Sequence, residues 1–450
     1  MDRRKLLENP FRPGADHRPP VLAGRERERD YFKRLLREDF ATENILITGL
    51  RGFGKTVLLD DLKRTAQGEG WVWVGNDLSE SASLSEDRLA LRILTDLAQS
   101  LSEILVQGTE GQAAPSEQDF DEAVDDLDPT TFEALKAKYE RTPGLPSDKL
   151  KAVLGRVGAI LTRAKLRGIV LAYDEAQCLS DHAQRDEFPM SMLVETISSL
   201  QKRDGVTPVL LVLSGLPQVF NALIEARTYT ERMFHVMQME RLSRHDTAAA
   251  LLSPMKPLMP PLNCPPDLFE KVVDLSGGYP YLIQFFGKEL IDALLKNGGV
   301  LNSSQFPSPE VMDRLDAGLF AARWNKTTDK QRRFLKLIAN RGPQPSNEFS
   351  AVEIAALNND DGEFDSTQAN QLLLALCEKG LIYRTRHGRY AFTVPMSEAM
   401  ISRRIQIEQD VETSWAAISP PPVPLTPITQ DPPPEAKQRS KPAGLLSWFN

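Results

Sequence analysis

A glycine-rich turn of the chain has the residue types needed to bind phosphate. Its residues fit the pattern GxxxxGK(S/T) and are Gly49, Leu50, Arg51, Gly52, Phe53, Gly54, Lys55 and Thr56. Glycines let successive backbone N–H groups point at one anion, and a helix that begins at the turn adds its positive dipole end. The pattern predicts that Lys55 contacts the β- and γ-phosphates of ATP, that Thr56 binds Mg²⁺, and that Val57 completes the nucleotide site. A chance glycine turn is the alternative, and the flanking strand and helix disfavour it.

A pair of acidic residues follows another apolar run. Asp174 and Glu175 come directly after residues 168–173, which are typical of a buried strand. The carboxyl end of such a strand is where open α/β sheets bind ligands, so Asp174 is predicted to hold Mg²⁺ and Glu175 to orient or deprotonate the attacking water. Ser214 ends the next apolar run and is predicted to contact the γ-phosphate or the water. A surface acidic pair and a strand-capping serine are the alternatives.

Arg232 follows the helix after that run. An arginine at a subunit edge can stabilise transition-state charge on a neighbour's nucleotide. The alternative is an intramolecular salt bridge with Glu231 or Glu240.

The elements that must position these residues alternate in type. Apolar runs at 44–48, 71–74, 168–173 and 208–213 predict strands, and periodic stretches at 55–67, 84–105, 148–165 and 190–202 predict helices. Strands that are continuously apolar and alternate with helices favour a parallel sheet covered on both faces. Together with the glycine-rich turn, this predicts an α/β fold class with a parallel-sheet P-loop NTPase core. Helical patterns after residue 243 predict a helical lid, and the order helix, short helix, helix and two short strands predicts a C-terminal winged helix.

Five segments are predicted along the chain. They are an extended lead-in over 1–20, the P-loop core over 21–243 with a partly disordered acidic insertion at 107–146, a helical lid over 244–325, a winged helix over 326–404 and a proline-rich disordered tail over 405–450.

The predicted winged helix carries candidate nucleic-acid contacts. Gln368 and Gln371 are predicted to face outward on its third helix, where they could read base edges, and Arg384, Arg386 and Arg389 on the hairpin could contact phosphates.

Carboxylates just before that third helix oppose this interpretation, because they would repel DNA. DNA binding and regulatory packing against protein therefore both remain open for the domain.

Composition excludes several classes of protein. The net charge is −8, with eight carboxylates and no base between residues 110 and 128, and no long basic tract occurs, which excludes a mainly electrostatic nucleic-acid binder. Three separated cysteines disfavour a disulfide framework and a zinc ribbon. No apolar stretch resembles a signal peptide or a membrane span, so a cytoplasmic location is expected.

Four features together resemble a known family. They are Gly24-Arg25-Glu26, GLRGFGKT, the run Tyr173–Gln177 (YDEAQ) and the C-terminal winged helix. Over roughly residues 20–400 the chain is similar to P-loop ATPases of the AAA+ and STAND groups, particularly archaeal origin-recognition ATPases. The resemblance implies that Arg25 lies near the adenine and that Arg232 acts as an arginine finger.

The lid departs from the origin-recognition pattern. Where a sensor arginine is usual, the chain reads Gly277-Gly278-Tyr279-Pro280, closer to the GLP-type motif of STAND and NB-ARC ATPases, whose proline packs near the adenine. This implies a nucleotide contact for Pro280.

The departure favours a nucleotide-dependent switch over fast turnover. The expected protein binds ATP and ADP, hydrolyses ATP slowly with Mg²⁺, and acts as a nucleotide-dependent switch on DNA or a DNA-associated complex. A homo-oligomer or a protein partner is left open. The alternative is a STAND-like signalling or assembly scaffold with negligible turnover.

Overall fold

The structure is a computed structural model. It describes residues 8–418 apart from 15–16, 39–42, 109–127, 203–207, 228, 260–261, 342–347, 358–363 and 395. The acidic stretch at 109–127 and the proline-rich segment at 419–450 therefore lie outside the described residues. Within the described part, no helix combines the length and apolar composition of a membrane span.

Five parallel strands form the central sheet in the order β2-β3-β4-β1-β5. The strands are β1 (Asn44–Thr48), β2 (Trp71–Val74), β3 (Gly168–Tyr173), β4 (Val209–Gly215) and β5 (Phe234–Gln238). Because all five run in the same direction, the segments after β1, β3 and β4 meet at one edge of the sheet. We call this the carboxyl edge.

Helices cover both faces of the sheet, as the continuously apolar strands predict. They are α1 (Glu26–Arg37), α2 (Lys55–Gly68), α3 (Glu86–Gly108), α4 (Phe132–Arg141), α5 (Pro146–Arg163), α6 (Pro189–Gln201) and α7 (Gln218–Ala226). Alternate strand residues pack on opposite faces: Ile45 contributes to the core shared with α1 and α2, and Leu46 to the core shared with α3, α5 and α6. Each fully buried side chain of this size contributes about 2 kcal/mol.

Two elements of this first unit are absent from the sequence prediction. Strand β5 lies at the sheet edge and is only partly buried, so it lacks the continuous apolar run that marks the other strands. Helix α4 falls inside the predicted acidic insertion, but it packs between α3 and α5, and Tyr139 donates a hydrogen bond to Asp87 Oδ1 at 2.8 Å. The ordered part of the insertion therefore includes this helix.

Three helices form the lid: α8 (Arg244–Met255), α9 (Pro266–Ser276) and α10 (Pro280–Lys296). The N-terminal segment crosses onto it. Phe11 is 1% exposed and packs against Gly287 of α10, where an added Cβ would lie 2.7 Å from the phenylalanine ring. Asn9 Nδ2 donates to Asp292 Oδ1 at 2.7 Å, whereas Arg18 pairs with Asp61 of α2 at 2.8 Å. The segment therefore joins the lid to the first unit.

The C-terminal part has the order of elements of a winged helix. After α11 (Pro309–Leu319) and α12 (Ala321–Trp324) come α13 (Asp329–Ala339), α14 (Ala351–Ala356), α15 (Ser366–Glu378), the antiparallel strands β6 (Ile382–Arg386) and β7 (Arg389–Phe392), and α16 (Ser397–Ile418). The turn between β6 and β7 lies at His387-Gly388. Helix α16 continues beyond the predicted domain boundary at 404 and is joined to α11 by the ion pairs Arg403–Asp313 and Arg404–Asp316.

Candidate functional site

The glycine-rich turn lies at the carboxyl edge, between β1 and α2. Gly52 and Gly54 have φ values of +81° and +83°, in the left-handed region that glycine adopts most easily. The backbone N–H groups of Arg51, Gly52 and Gly54 have no hydrogen-bond partner among the described residues. Together with the start of α2 they give the turn unpaired donors and a positive dipole, which suits an anionic ligand.

The Lys55 ammonium group folds back over the turn. Its Nζ donates to the carbonyl oxygens of Gly49 at 2.9 Å and of Leu50 at 3.1 Å. Burial lowers the pKa of Lys55, and the carboxylates of Asp174 and Glu175 partly oppose this shift. The turn therefore contains a cation held by neutral carbonyls, which phosphate oxygens could replace as partners.

Two hydroxyl groups, one from helix α2 and one from strand β4, meet beside Lys55. Thr56 Oγ1, on the first turn of α2, donates to Asp174 Oδ2 at 2.6 Å. Ser214 Oγ, at the end of β4, donates to Asp174 Oδ1 at 2.7 Å. Asp174 is 3% exposed, so these hydroxyls satisfy a carboxylate that burial would otherwise disfavour.

The donor set fits Mg²⁺. A hydroxyl and a carboxylate oxygen are the hard ligands that this ion takes, and it usually completes its shell with substrate phosphates and water. Among the described residues, no cluster of three or more His, Cys, Asp or Glu side chains could hold a metal ion. A metal at Thr56 and Asp174 would therefore need the phosphates of a bound nucleotide.

Glu175 follows Asp174 in an unusual backbone conformation. Its φ of +53° is in the left-handed region, and its N–H donates to Asp174 Oδ1 at 2.9 Å. Gln177 donates from its amide nitrogen to Glu175 Oε2, and its amide oxygen accepts from the N–H of Leu216 at 3.0 Å. The sequence does not indicate these contacts of Gln177, because a contact with the segment after β4 has no signature in a local motif.

The lid contacts the glycine-rich turn through Tyr279. Its hydroxyl donates to the carbonyl oxygen of Arg51, and its ring packs edge-on against Phe53 with centroids 5.2 Å apart. Burial raises the pKa of Tyr279 to about 12, so the phenol keeps its proton. Pro280 begins α10 directly after it, at the first helical position that proline favours.

Arg25 lies on the other side of the turn. The side chain is 6% exposed, and its guanidinium donates to the carbonyl oxygen of Glu240 at 2.7 Å and of Phe53 at 3.5 Å. The structure thus places Arg25, the glycine-rich turn and Tyr279 in one region.

Arg232 lies elsewhere. It ends a short 3-10 turn before β5, at the edge where the strands begin, and it is exposed. The five residues of β5 span about 16 Å, so Arg232 is across the sheet from the turn that follows β1. Among the described residues it forms no ion pair, so the predicted alternative of a bridge to Glu231 or Glu240 is not seen.

The candidate nucleic-acid residues divide into two groups. Gln371 is exposed and Gln368 half-buried on α15, and Arg384 is exposed on β6. Arg386 and Arg389 instead pair with Glu348 at 3.0 Å and with Glu353 at 2.5 Å. The hairpin therefore presents one arginine without an ion pair among the described residues, and two that are already paired.

Comparison with known families agrees with this geometry. Residues 21–212 match the AAA ATPase domain family, and residues 317–401 match a domain of unknown function (DUF8462). A search of curated proteins gives no match.

Solved structures with similar chains include origin-recognition proteins. The Aeropyrum pernix ORC2 protein, solved as ADPNP–ADP complexes, is 15% identical with a TM-score of 0.52, covering 90% of this chain and 98% of that one. Cdc6p from Pyrobaculum aerophilum is 17% identical with a TM-score of 0.42, covering 88% and 97%. The Aeropyrum pernix ORC1 protein in complex with DNA is 14% identical with a TM-score of 0.41, covering 88% and 96%. At 15% identity, the similarity to the ORC2 protein is one of fold.

Proposed function

We propose that the protein hydrolyses ATP slowly and acts as a nucleotide-dependent switch, because residues 21–212 match the AAA ATPase domain family. The observation that carries the proposal is the 2.6 Å contact between Thr56 Oγ1 and Asp174 Oδ2, beside Lys55. The ORC2 protein of Aeropyrum pernix, which shares the fold, is described in ADPNP–ADP complexes, and this supports a nucleotide as the ligand.

Each residue of the site has a part in the proposed reaction. The N–H groups of the turn and Lys55 bind the phosphates, and Glu175 accepts a proton from the water that attacks the γ-phosphorus as the bond to the β-phosphate oxygen breaks. Ser214 holds Asp174 in place through its 2.7 Å hydrogen bond. Thr56 and Asp174 would hold Mg²⁺, which supplies positive charge against the phosphates.

The lid supports the switch. Tyr279 donates to the Arg51 carbonyl, and Leu242 N–H donates to the Gly278 carbonyl at 2.8 Å. If phosphate binding reorients the peptide group of Arg51, the hydrogen bond from Tyr279 would therefore transmit this change to the start of α10. In the proposal, this contact couples the nucleotide state to the lid and the C-terminal domain.

DNA is the proposed target of the switch, through α15. Its exposed side includes Thr367 and Gln371, with Gln368 half-buried beside them and Arg384 exposed on the neighbouring hairpin. Polar side chains on a helix surface suit the major groove, and an arginine without an ion pair suits a phosphate.

A protein-docking scaffold is the second candidate, and two contacts favour it. Arg386 and Arg389 pair with Glu348 and Glu353 within the same domain, so these guanidinium groups are neutralised rather than presented to DNA.

ATP binding and turnover test the proposal directly. Calorimetry and phosphate release are measured for the wild type and for Lys55→Ala, Glu175→Gln and Arg64→Ala, the last a matched control because Arg64 is exposed on the same helix α2. We expect Lys55→Ala to lose nucleotide binding, Glu175→Gln to retain binding but lose turnover, and Arg64→Ala to behave as the wild type. Retained binding in Lys55→Ala would overturn the proposal.

Adding duplex DNA separates the two candidates. Turnover that rises with DNA supports the DNA switch. Turnover that stays negligible with and without DNA, while the protein keeps ATP or ADP tightly bound, supports the scaffold.

A further inference from the structure

Gln177 joins two parts of the carboxyl edge through both ends of its amide. The nitrogen donates to Glu175 Oε2, and the oxygen accepts from the N–H of Leu216, in the turn between β4 and α7. If the amide were flipped, its oxygen would face the Glu175 carboxylate and its nitrogen would face the Leu216 N–H. These two partners therefore fix one orientation of the amide.

One side of the amide lies close to Gly215. A Cβ added at Gly215 would lie 2.8 Å from Gln177 Oε1 and 2.7 Å from a methyl group of Val219. The Gln177 amide therefore lies against the backbone at the end of β4, the strand that also carries Ser214. Because Ser214 donates to Asp174, both acidic residues of the pair are attached to the same strand end.

Glu175 is thus fixed at two points. Its backbone N–H donates to Asp174 Oδ1 at 2.9 Å, and its Oε2 accepts from Gln177. The other oxygen, Oε1, has no hydrogen-bond partner among the described residues, and it is the oxygen left to accept a proton from water.

We propose that Gln177 is a positioning residue for Glu175: its amide holds one carboxylate oxygen and leaves the other to receive the proton of the attacking water. The inference rests on the proposed ATP hydrolysis and names a residue that this hydrolysis requires. Among the described residues, the Gln177 side chain makes no hydrogen bond to the glycine-rich turn, Thr56 or Asp174, so we expect its effect on turnover and not on binding.

Two substitutions separate positioning from a structural role. Gln177→Ala removes both contacts, whereas Gln177→Glu keeps an acceptor for the Leu216 N–H but places a carboxylate against Glu175. Gln184→Ala is the matched control, an exposed glutamine in the same connection. For all three we measure kcat and KM for ATP, ATP affinity by calorimetry and unfolding in urea.

We expect kcat to fall about 10- to 100-fold in both Gln177 variants, since small misplacements of a catalytic group have effects of this order. KM and ATP affinity should stay unchanged, and Gln184→Ala should match the wild type. Wild-type kcat in Gln177→Glu would show that only the Leu216 contact matters and would overturn the inference.

A double variant completes the test. In Glu175→Gln the proton acceptor is already lost, so adding Gln177→Ala should lower kcat no further; an additional loss would contradict positioning. Wild-type turnover no higher than that of Lys55→Ala would overturn the proposed hydrolysis and this inference together. Unchanged kcat in Gln177→Ala, with wild-type turnover present, would overturn the inference alone.

Discussion

Lys55 is a buried cation whose protonation should respond to the ligand. Burial lowers the pKa of Lys55 below its ordinary value in the described structure, and the negative phosphates of ATP would raise it again. At a pH between the two pKa values the free side chain is partly neutral and the bound one is charged. Binding should then take up protons, and affinity should fall as the pH rises.

Calorimetry in buffers of different ionisation heat measures this uptake. Work above about pH 8 keeps the phosphates of ATP fully ionised, so that their own titration does not contribute. Lys55→Arg is the control, because a guanidinium keeps its proton throughout this range. Affinity that rises with pH in the wild type would contradict the prediction.

At the scale of elements, the lid and the glycine-rich turn meet at one phenol. Tyr279→Phe removes the hydrogen bond to the Arg51 carbonyl but keeps the ring against Phe53. We expect the free energy of unfolding to fall by about 1 kcal/mol, the usual contribution of such a bond. Tyr281→Phe is the control, because the Tyr281 hydroxyl has no hydrogen-bond partner among the described residues. Equal urea midpoints for Tyr279→Phe and the wild type would count against the contact.

The hairpin offers a second prediction at this scale. If the C-terminal domain binds duplex DNA, Arg384→Ala should weaken binding and lower the slope of log affinity against log salt by about 1, the effect of one lost phosphate contact. Arg386→Ala should change the slope less, because Arg386 pairs with Glu348. Fluorescence anisotropy at several salt concentrations measures both slopes. An Arg386 effect as large as that of Arg384 would show that the ion pair opens on DNA.

For the whole molecule, Arg232 predicts behaviour that a single copy cannot show. It lies across the sheet from its own glycine-rich turn, so any contact with phosphate must be made to another copy. If Arg232 is the arginine finger that the resemblance implies, ATPase activity per molecule should rise with protein concentration. Arg232→Ala should then abolish the rise, with a loss of up to about 10³-fold.

A mixing experiment checks the Arg232 prediction. Arg232→Ala has an intact turn and Lys55→Ala retains Arg232, so a mixture of the two should recover activity that neither has alone. Arg227→Ala is the control, since Arg227 pairs with Glu195. Activity independent of concentration in the wild type would contradict the prediction.

The sequence predicts this fold well where local pattern determines the structure. The strands at 44–48, 71–74 and 168–173 match their predicted bounds, because strands covered on both faces are continuously apolar. β5 is missed because an edge strand buries only part of its side chains.

The residues of the candidate site also divide into those with a local sequence pattern and those without one. The glycine-rich turn and the acidic pair have local signatures, so their residues can be named from the sequence. The contacts of Gln177 with Leu216 and of Tyr279 with Arg51 join segments far apart in the chain, and no local pattern could indicate them.

The N-terminal segment connects the lid to helix α2 through two contacts. Phe11 is buried against α10, and Arg18 pairs with α2. The seven peptide steps from Phe11 to Arg18 reach at most about 25 Å when fully stretched. While Phe11 stays against α10 and Arg18 stays paired with Asp61, this length limits the distance between the two contact points. A wider separation of α10 from α2 would require either the Arg18–Asp61 ion pair to break or Phe11 to leave its buried position against α10. An ion pair with an exposed arginine is the weaker of these two contacts.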